Sequence, residues 1–126
     1  MTEFSNIKWS DSRTLPDIRA EQLDGDIVEL ELFANADLFQ FQGHFPEEPV
    51  LPGVAQIDWA AVFARKYFDI TGNFTRLGQL KFSRLIVAGA LLRLRLEWHR
   101  EKGRLHFAYH EGSEKCSSGF FELTDL

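Results

Sequence analysis

Residues 53–68 read Gly53-Val54-Ala55-Gln56-Ile57-Asp58-Trp59-Ala60-Ala61-Val62-Phe63-Ala64-Arg65-Lys66-Tyr67-Phe68. This stretch decides the fold, because it is the one long segment of helical rather than alternating character. Pro52 stands just before it, alanines fill its middle, and Arg65 and Lys66 lie near its end, where cations suit the negative pole of the helix dipole. Apolar residues fall on nearly every side of the predicted helix, at Val54, Ile57, Trp59, Ala60, Val62, Phe63 and Ala64. That pattern predicts a helix surrounded by protein rather than one lying on a surface.

Around this helix the chain reads as strand and turn. Upstream, residues 16–24 and 26–34 meet at Asp24-Gly25, and Val28, Leu30 and Leu32 alternate with Glu29 and Glu31, which predicts a hairpin. Downstream, 76–87, 90–100, 104–110 and 115–124 are strand-like, with turns at Gly89, Lys102-Gly103 and Glu111-Gly112. In the second of these, Leu92, Leu94, Leu96 and Trp98 alternate with Arg93, Arg95, Glu97 and His99, as in an antiparallel strand buried on one face. One helix cannot cover both faces of a doubly wound sheet. The expected class is therefore α+β, an antiparallel β-sheet wrapped around one long central helix. A chain of 126 residues suits one such domain, residues 1–126, and not two.

Composition narrows the function. With 44% hydrophobic and 26% charged residues the chain is of ordinary globular type. Its net charge of -5 argues against the concentrated basic face that phosphate binding needs, so no nucleic-acid partner is expected. Twelve phenylalanines suit either an aromatic core or a hydrocarbon pocket. Cys116 is the lone cysteine and reads as a small buried side chain. Met1 to Ser10 lack the apolar core of a signal peptide, and the charge-free run Val50 to Ile57 is far short of the ~20 residues that cross a bilayer. A cytoplasmic protein without a membrane span is expected.

Residues 37–52 follow neither period and hold all but one of the four prolines, which marks an ordered loop of the kind that carries chemistry. Within it His44 is held between Gly43 and Phe45-Pro46. Asp58 follows 58 − 44 = 14 residues later and is the only charged residue between Val50 and Ala64. On a helix surrounded by protein this carboxyl would be removed from water, which favours the protonated, proton-donating form. Histidine is the commonest general base near neutrality, so His44 and Asp58 are candidates for base and acid. Gly53 opens the helix, where an N–H without an intrahelical acceptor can polarise a carbonyl oxygen. His106 and His110 share a strand face without a cysteine or carboxylate at ligand spacing, and no metal is expected.

The run Gly43-His44-Phe45-Pro46-Glu47-Glu48-Pro49-Val50-Leu51-Pro52-Gly53-Val54, followed by Asp58, resembles the active-site signature of the beta-hydroxyacyl-acyl-carrier-protein dehydratases of bacterial fatty acid synthesis. These are hotdog-fold enzymes, and their motif is long and specific. An aspartate at this place matches the branch that serves unsaturated fatty acids, whereas His44-Phe45-Pro46 is more similar to the other branch. Leu51 to Trp59, LPGVAQIDW, looks closest to small dehydratases of aryl polyene pathways. The order of strands, loop, helix and four further strands extends the likeness over most of the chain, and Leu80-Lys81-Phe82 resembles the strand after the helix. One departure is plain: where the fatty acid enzymes typically read R-x-P-V-x-P-G-D, this chain has Ser83-Arg84-Leu85-Ile86-Val87-Ala88-Gly89-Ala90.

The resemblance implies dehydration of a 3-hydroxyacyl thioester, with His44 removing the alpha proton and Asp58 protonating the departing hydroxyl. It implies that the Gly53 N–H polarises the thioester carbonyl and that no cofactor or metal takes part. Phe39, Phe41, Phe45 and Phe63 become candidates to line an acyl tunnel. In the family the histidine and the acid of one site come from different subunits, so a homodimer, or a heterodimer with a related dehydratase, is implied. The other partner implied is an acidic acyl carrier protein, received by basic residues among Arg65, Lys66, Lys81, Arg84, Arg93 and Arg95. A hotdog thioesterase, with the helix carboxylate guiding water, and a non-catalytic partner subunit are the alternatives.

Overall fold

The computed structural model describes residues 14–41 and 49–123. Strands β1 (Asp17–Asp24) and β2 (Ile27–Phe33) form the expected hairpin, closed by Gly25 at a φ of 62°. A 3-10 turn at Phe39–Phe41 precedes the helix α1 (Gly53–Phe68), and β3 (Phe74–Phe82), β4 (Leu91–His99), β5 (Arg104–Glu111) and β6 (Glu114–Leu123) follow. All pair antiparallel in one six-stranded sheet of order β1-β2-β4-β5-β6-β3. No helix among the described residues is long and apolar enough to cross a membrane.

The alternation in the sequence sets which face of this sheet turns inward. Val28, Leu30 and Leu32 of β2 lie buried beside Leu92, Leu94, Leu96 and Trp98 of β4, in a register that pairs Leu30 with Leu94. Leu105, Phe107 and Tyr109 of β5 continue the layer, and Ala55, Trp59, Ala60, Phe63, Ala64 and Phe68 of α1 pack onto it. Burying a large apolar side chain contributes roughly 1.5–3 kcal/mol, so this single layer dominates the stability. The helix ends at Asp69, which takes a left-handed φ of 57° while its N–H returns to the Arg65 carbonyl. Arg65 fastens the exit by donating to the carbonyls of Ile70 (3.2 Å) and Gly72 (2.8 Å). Near the same end the Tyr67 hydroxyl donates to Glu21 on β1, and burial with that carboxylate pushes the phenol up to about 12. This is the α+β hotdog arrangement that the sequence led us to expect.

Two expectations need correction. The strand predicted over 76–87 runs instead from Phe74 to Phe82. Beyond it the N–H groups of Ser83 (2.8 Å) and Arg84 (3.2 Å) converge on the single Cys116 carbonyl, and the chain leaves β6. It pairs next with the segment before the helix: Leu51 N–H donates to Ile86 (2.8 Å), Ala88 N–H to Pro49 (3.2 Å), and Val50 faces Val87 in an isolated bridge. Residues 83–88 are therefore a strap that holds the start of α1, which the apolar run in the sequence could not distinguish from more strand.

The helix is also not covered on every side. Its sheet-facing residues are buried, but the opposite stripe, Val54, Asp58, Val62 and Lys66 at four-residue spacing, is exposed on the single chain. Val54 has 74% of its surface exposed. The sheet alone supplies no atoms to that side.

Candidate functional site

Three elements converge on the first turn of α1: the segment 49–52, the strap and the end of β3. Pro52 is the N-cap, extended at φ −62° and ψ 150°, and its carbonyl accepts the N–H groups of Ala55 (3.0 Å) and Gln56 (3.3 Å). Among the described residues no acceptor meets the N–H groups of Gly53 or Val54. They are the orphan donors that a helix start presents, at the positive end of its dipole. A cleft of about 400 Å³ opens there, lined by Leu51, Gly53, Gln56, Phe82, Arg84 and Leu85 among others. The Phe82 ring packs against Gly53.

Asp58 lies 58 − 53 = 5 residues further along, about 7.5 Å by helical rise, on the uncovered stripe of α1. It is exposed, so the removal from water expected for it is not supplied by this chain alone. Beside the next turn, a groove of about 510 Å³ between α1 and β3 is lined by Ala61, Arg65, Phe74, Leu77 and Phe121. Leu77, Leu80 and Phe82 along β3, with Leu85 just beyond, are exposed too. The helix stripe that carries Asp58 and the exposed apolar residues of β3 are thus both left uncovered by the sheet.

His44 and Phe45 lie outside the described residues. Of the other phenylalanines considered for an acyl tunnel, Phe41 and Phe63 are buried members of the core, and Phe39 is partly exposed at the 3-10 turn. None of the three borders the cleft or the groove. The basic residues divide as clearly. Arg65 is occupied at the helix end, and Arg95 is held by Glu29 (2.8 Å) and Glu97 (2.9 Å). Lys66 lies over the Tyr67 ring, and Arg93 pairs across the sheet with His110. Of these residues Arg84 lines the cleft, at 3.7 Å from Glu111, and Lys81 is exposed on β3 next to Phe82. Cys116 is fully buried, as expected, and its thiol is pushed up chiefly by that burial.

Sequence reasoning missed a buried polar set beneath the cleft. Gln56 and Ser117 are the buried polar residues among those described, at 3% and 1% exposure. The Ser117 hydroxyl donates to Gln56 Oε1 at 2.7 Å, and Gln56 Nε2 donates to the Leu51 carbonyl at 3.4 Å. The Tyr109 hydroxyl donates to the main-chain carbonyl of Gln56 at 2.7 Å. Tyr109 is raised well above the ordinary phenol value, first by burial and then by the Asp58 charge, so its hydroxyl stays a donor. The signal that could have found Gln56 is a polar residue on the same helix face as Ala60 and Phe63 (positions 56, 60 and 63).

The chain is similar to several known proteins. Over 70 residues, half of this chain and 49% of the relative, it is 40% identical to the 3-hydroxyacyl-[acyl-carrier-protein] dehydratase FabZ of Clostridium novyi (strain NT). It spans about half the length of the curated relatives it matches. Among solved structures, the dehydratase heterocomplex ApeI:P from Xenorhabdus doucetiae contains a chain that superposes with a TM-score of 0.81 at 30% identity, over 86% of this chain and 96% of that one. An uncharacterized protein from Erwinia carotovora subsp. atroseptica gives a TM-score of 0.76 at 38% identity, over 87% and 96%. Residues 20–120 match the family model described as ApeI-like, ApeI dehydratase, and with most of its length so matched the chain belongs to the ApeI-like dehydratase family.

Proposed function

We propose that this chain dehydrates a 3-hydroxyacyl thioester carried on an acyl carrier protein to the trans-2-enoyl thioester, in fatty acid or aryl-polyene-type synthesis. The observation that carries the reading is the pair of donors at the start of α1, the Gly53 and Val54 N–H groups, without partners among the described residues and beside a cleft, with Asp58 on the same helix. A thioester carbonyl placed on the Gly53 N–H gains the stabilisation that its oxygen needs as negative charge develops. His44 then takes the alpha proton, the freed electron pair forms the new C=C bond, and the C–O bond to the beta-hydroxyl breaks. Asp58 gives that oxygen its proton, so that it leaves as water. All of this is acid–base chemistry and needs no electron acceptor.

The exposed stripe around Asp58 supports a second chain as part of the enzyme. A carboxyl that donates a proton near neutrality works best out of water, and a partner covering Val54, Val62 and the β3 edge would exclude water there. The partner we propose is a second copy or a related dehydratase subunit. The similar Xenorhabdus protein was solved as a heterocomplex, which favours the second. The groove beside Ala61 and Leu77 offers apolar walls for the acyl chain, and Arg84 places positive charge at the cleft, with Lys81 exposed on the adjoining strand, for an acidic carrier. Buried, unbridged Cys116 fits a reducing, cytoplasmic setting.

The test is direct. The chain, alone and mixed with a related dehydratase subunit, is incubated with a 3-hydroxyacyl carrier-protein substrate, and loss of one water is followed by mass. His44→Ala and Asp58→Asn should each lower turnover by about 10²- to 10⁴-fold with folding retained. Release of free acid would indicate a thioesterase. Turnover that survives both substitutions in a mixed complex would make this chain a non-catalytic partner.

A further inference from the structure

Gln56 is costly where it stands. Its amide is almost wholly buried on a helix face that otherwise packs Ala55, Trp59, Ala60 and Phe63 into the sheet, and a leucine would fill the space without any polar group to satisfy. The structure satisfies it from two directions and ties the Gln56 main chain from a third. Ser117 on β6 donates to its Oε1, its Nε2 reaches the Leu51 carbonyl, and Tyr109 on β5 donates to its main-chain carbonyl. Pro52 has no N–H, so a side chain of the first helical turn cannot fasten back to the N-cap in the usual reciprocal way. Gln56 instead fastens the residue before the cap. Leu51 is then held on both sides, its carbonyl by Gln56 and its N–H by Ile86 of the strap.

The short segment Leu51-Pro52-Gly53 is what these bonds immobilise, and Gln56 itself borders the cleft onto which Gly53 opens. Two residues on, Asp58 is close enough for its charge to act on the Tyr109 hydroxyl. Both groups assigned to the reaction on this chain stand on the turn that these bonds tie to the sheet, Gly53 three residues before Gln56 and Asp58 two after it.

We propose that Gln56, anchored by Ser117 and Tyr109, is a positioning residue that fixes the first turn of α1 and so aims the Gly53 N–H and Asp58 at the reacting thioester. The inference rests on the dehydratase reading for its catalytic part, and a misplacement of about 1 Å in such a site can lower turnover by about 10²-fold.

A structural role and a positioning role separate in a double variant. Gln56→Leu leaves the Ser117 hydroxyl without an acceptor, and Ser117→Ala leaves Gln56 Oε1 without a donor, so each alone should lower both Tm and kcat. Gln56→Leu with Ser117→Ala removes the two side-chain polar groups together and leaves only the Leu51 carbonyl without its donor, which recovers most of the stability. With positioning, Tm recovers most of what the single variants lose while kcat stays about 10- to 100-fold low and KM changes little. If kcat returns with Tm, the network only stabilises, and the proposal is overturned.

Tyr109→Phe is the milder variant, removing one hydroxyl from a carbonyl that keeps its place in the helix. It should lower kcat about 3- to 10-fold; unchanged kcat there would also count against the proposal. Amide hydrogen exchange over residues 53–58 gives a readout independent of turnover. Faster exchange in the double variant and in Tyr109→Phe is expected, and unchanged exchange in both overturns the positioning role. A wild-type chain that never dehydrates a 3-hydroxyacyl thioester, yet shows these exchange changes, would instead remove the dehydratase reading and leave the ordering of this turn intact.

Discussion

The ring of Phe82 lies so close to Gly53 that a β-carbon on the glycine would stand 2.9 Å from its Cζ. Gly53→Ala therefore forces the ring to move. Phe82 is half exposed, so it can swing outward, and the overpacking cost of roughly 1–3 kcal/mol is partly offset by the smaller entropy that alanine loses on folding. We expect a small drop in Tm but at least about a 10-fold loss of dehydration, because the added methyl stands beside the exposed N–H. Adding Phe82→Leu should restore Tm. A Gly53→Ala enzyme with wild-type turnover would show that this N–H does not meet the substrate.

The parts of the fold that were legible in the sequence are those governed by local pattern. Leu92 to Trp98 alternate, and they alternate in burial; Gly25 marks a turn, and it turns. What was not legible depends on contacts made far along the chain. Ile86 and Val87 look like more of β3, and only their pairing with Leu51 and Val50 makes them a strap. Apolar residues on every side of α1 were read as burial within one chain, whereas Val54 and Val62 face outward. Periodicity reports that a surface is apolar, not whether the chain's own sheet covers it. That Gly53 opens α1 and that Asp58 stands on it were legible from the helical pattern, and the roles given to them are proposals. Gln56 and Ser117 were not legible, because a hydrogen bond between residues 61 apart has no local signature.

That outward face gives a second prediction. Val62 and Leu77 flank the uncovered side of α1 and β3, at 37% and 43% exposure. Val62→Glu and Leu77→Glu should leave the circular dichroism spectrum and Tm of the isolated chain nearly unchanged, since surface substitutions usually stay within about 0.5 kcal/mol. Each should abolish association in sedimentation and, with it, turnover. Association that survives both substitutions would place the partner elsewhere.

Gly78 meets Phe120 far more tightly than Gly53 meets Phe82. A β-carbon there would stand 2.2 Å from Phe120 Cζ and 2.7 Å from both Cε atoms. Phe120 cannot turn away: it is buried, with the Arg104 guanidinium over its ring at 4.5 Å and His106 at 5.4 Å. The adjoining bulge, where Gln79 takes a φ of 50°, breaks the register between Gly78 and Lys81. Gly78→Ala should therefore destabilise by about 2–3 kcal/mol, near the top of the range for overpacking. Chemical denaturation measures it. A cost below that of Gly53→Ala would mean that β3 moves away from β6 more readily than the packing implies.

Acid should weaken the fold in two separable steps. His106 and His110 are both held below the ordinary histidine value of 6.5, in each case chiefly by burial, reinforced by the charge of His99 for the first and of Arg93 for the second. His110 Nδ1 is buried without a hydrogen-bond partner among the described residues. Below about pH 6.5 the unfolded chain takes up these protons while the folded chain resists them, so stability falls with pH until the folded-state values are passed. Glu97 and Glu122 act lower down. Arg95 holds Glu97, and Arg76 and Arg104 hold Glu122, below the ordinary 4.5, so what they contribute is full above that value and is lost as pH falls through their folded values. Tm should be level well above pH 6.5, decline as pH falls below 6.5, and decline again below 4.5. His106→Gln with His110→Gln should flatten the upper decline and leave the lower one. An upper decline that persists in the double variant would assign it to groups other than these histidines.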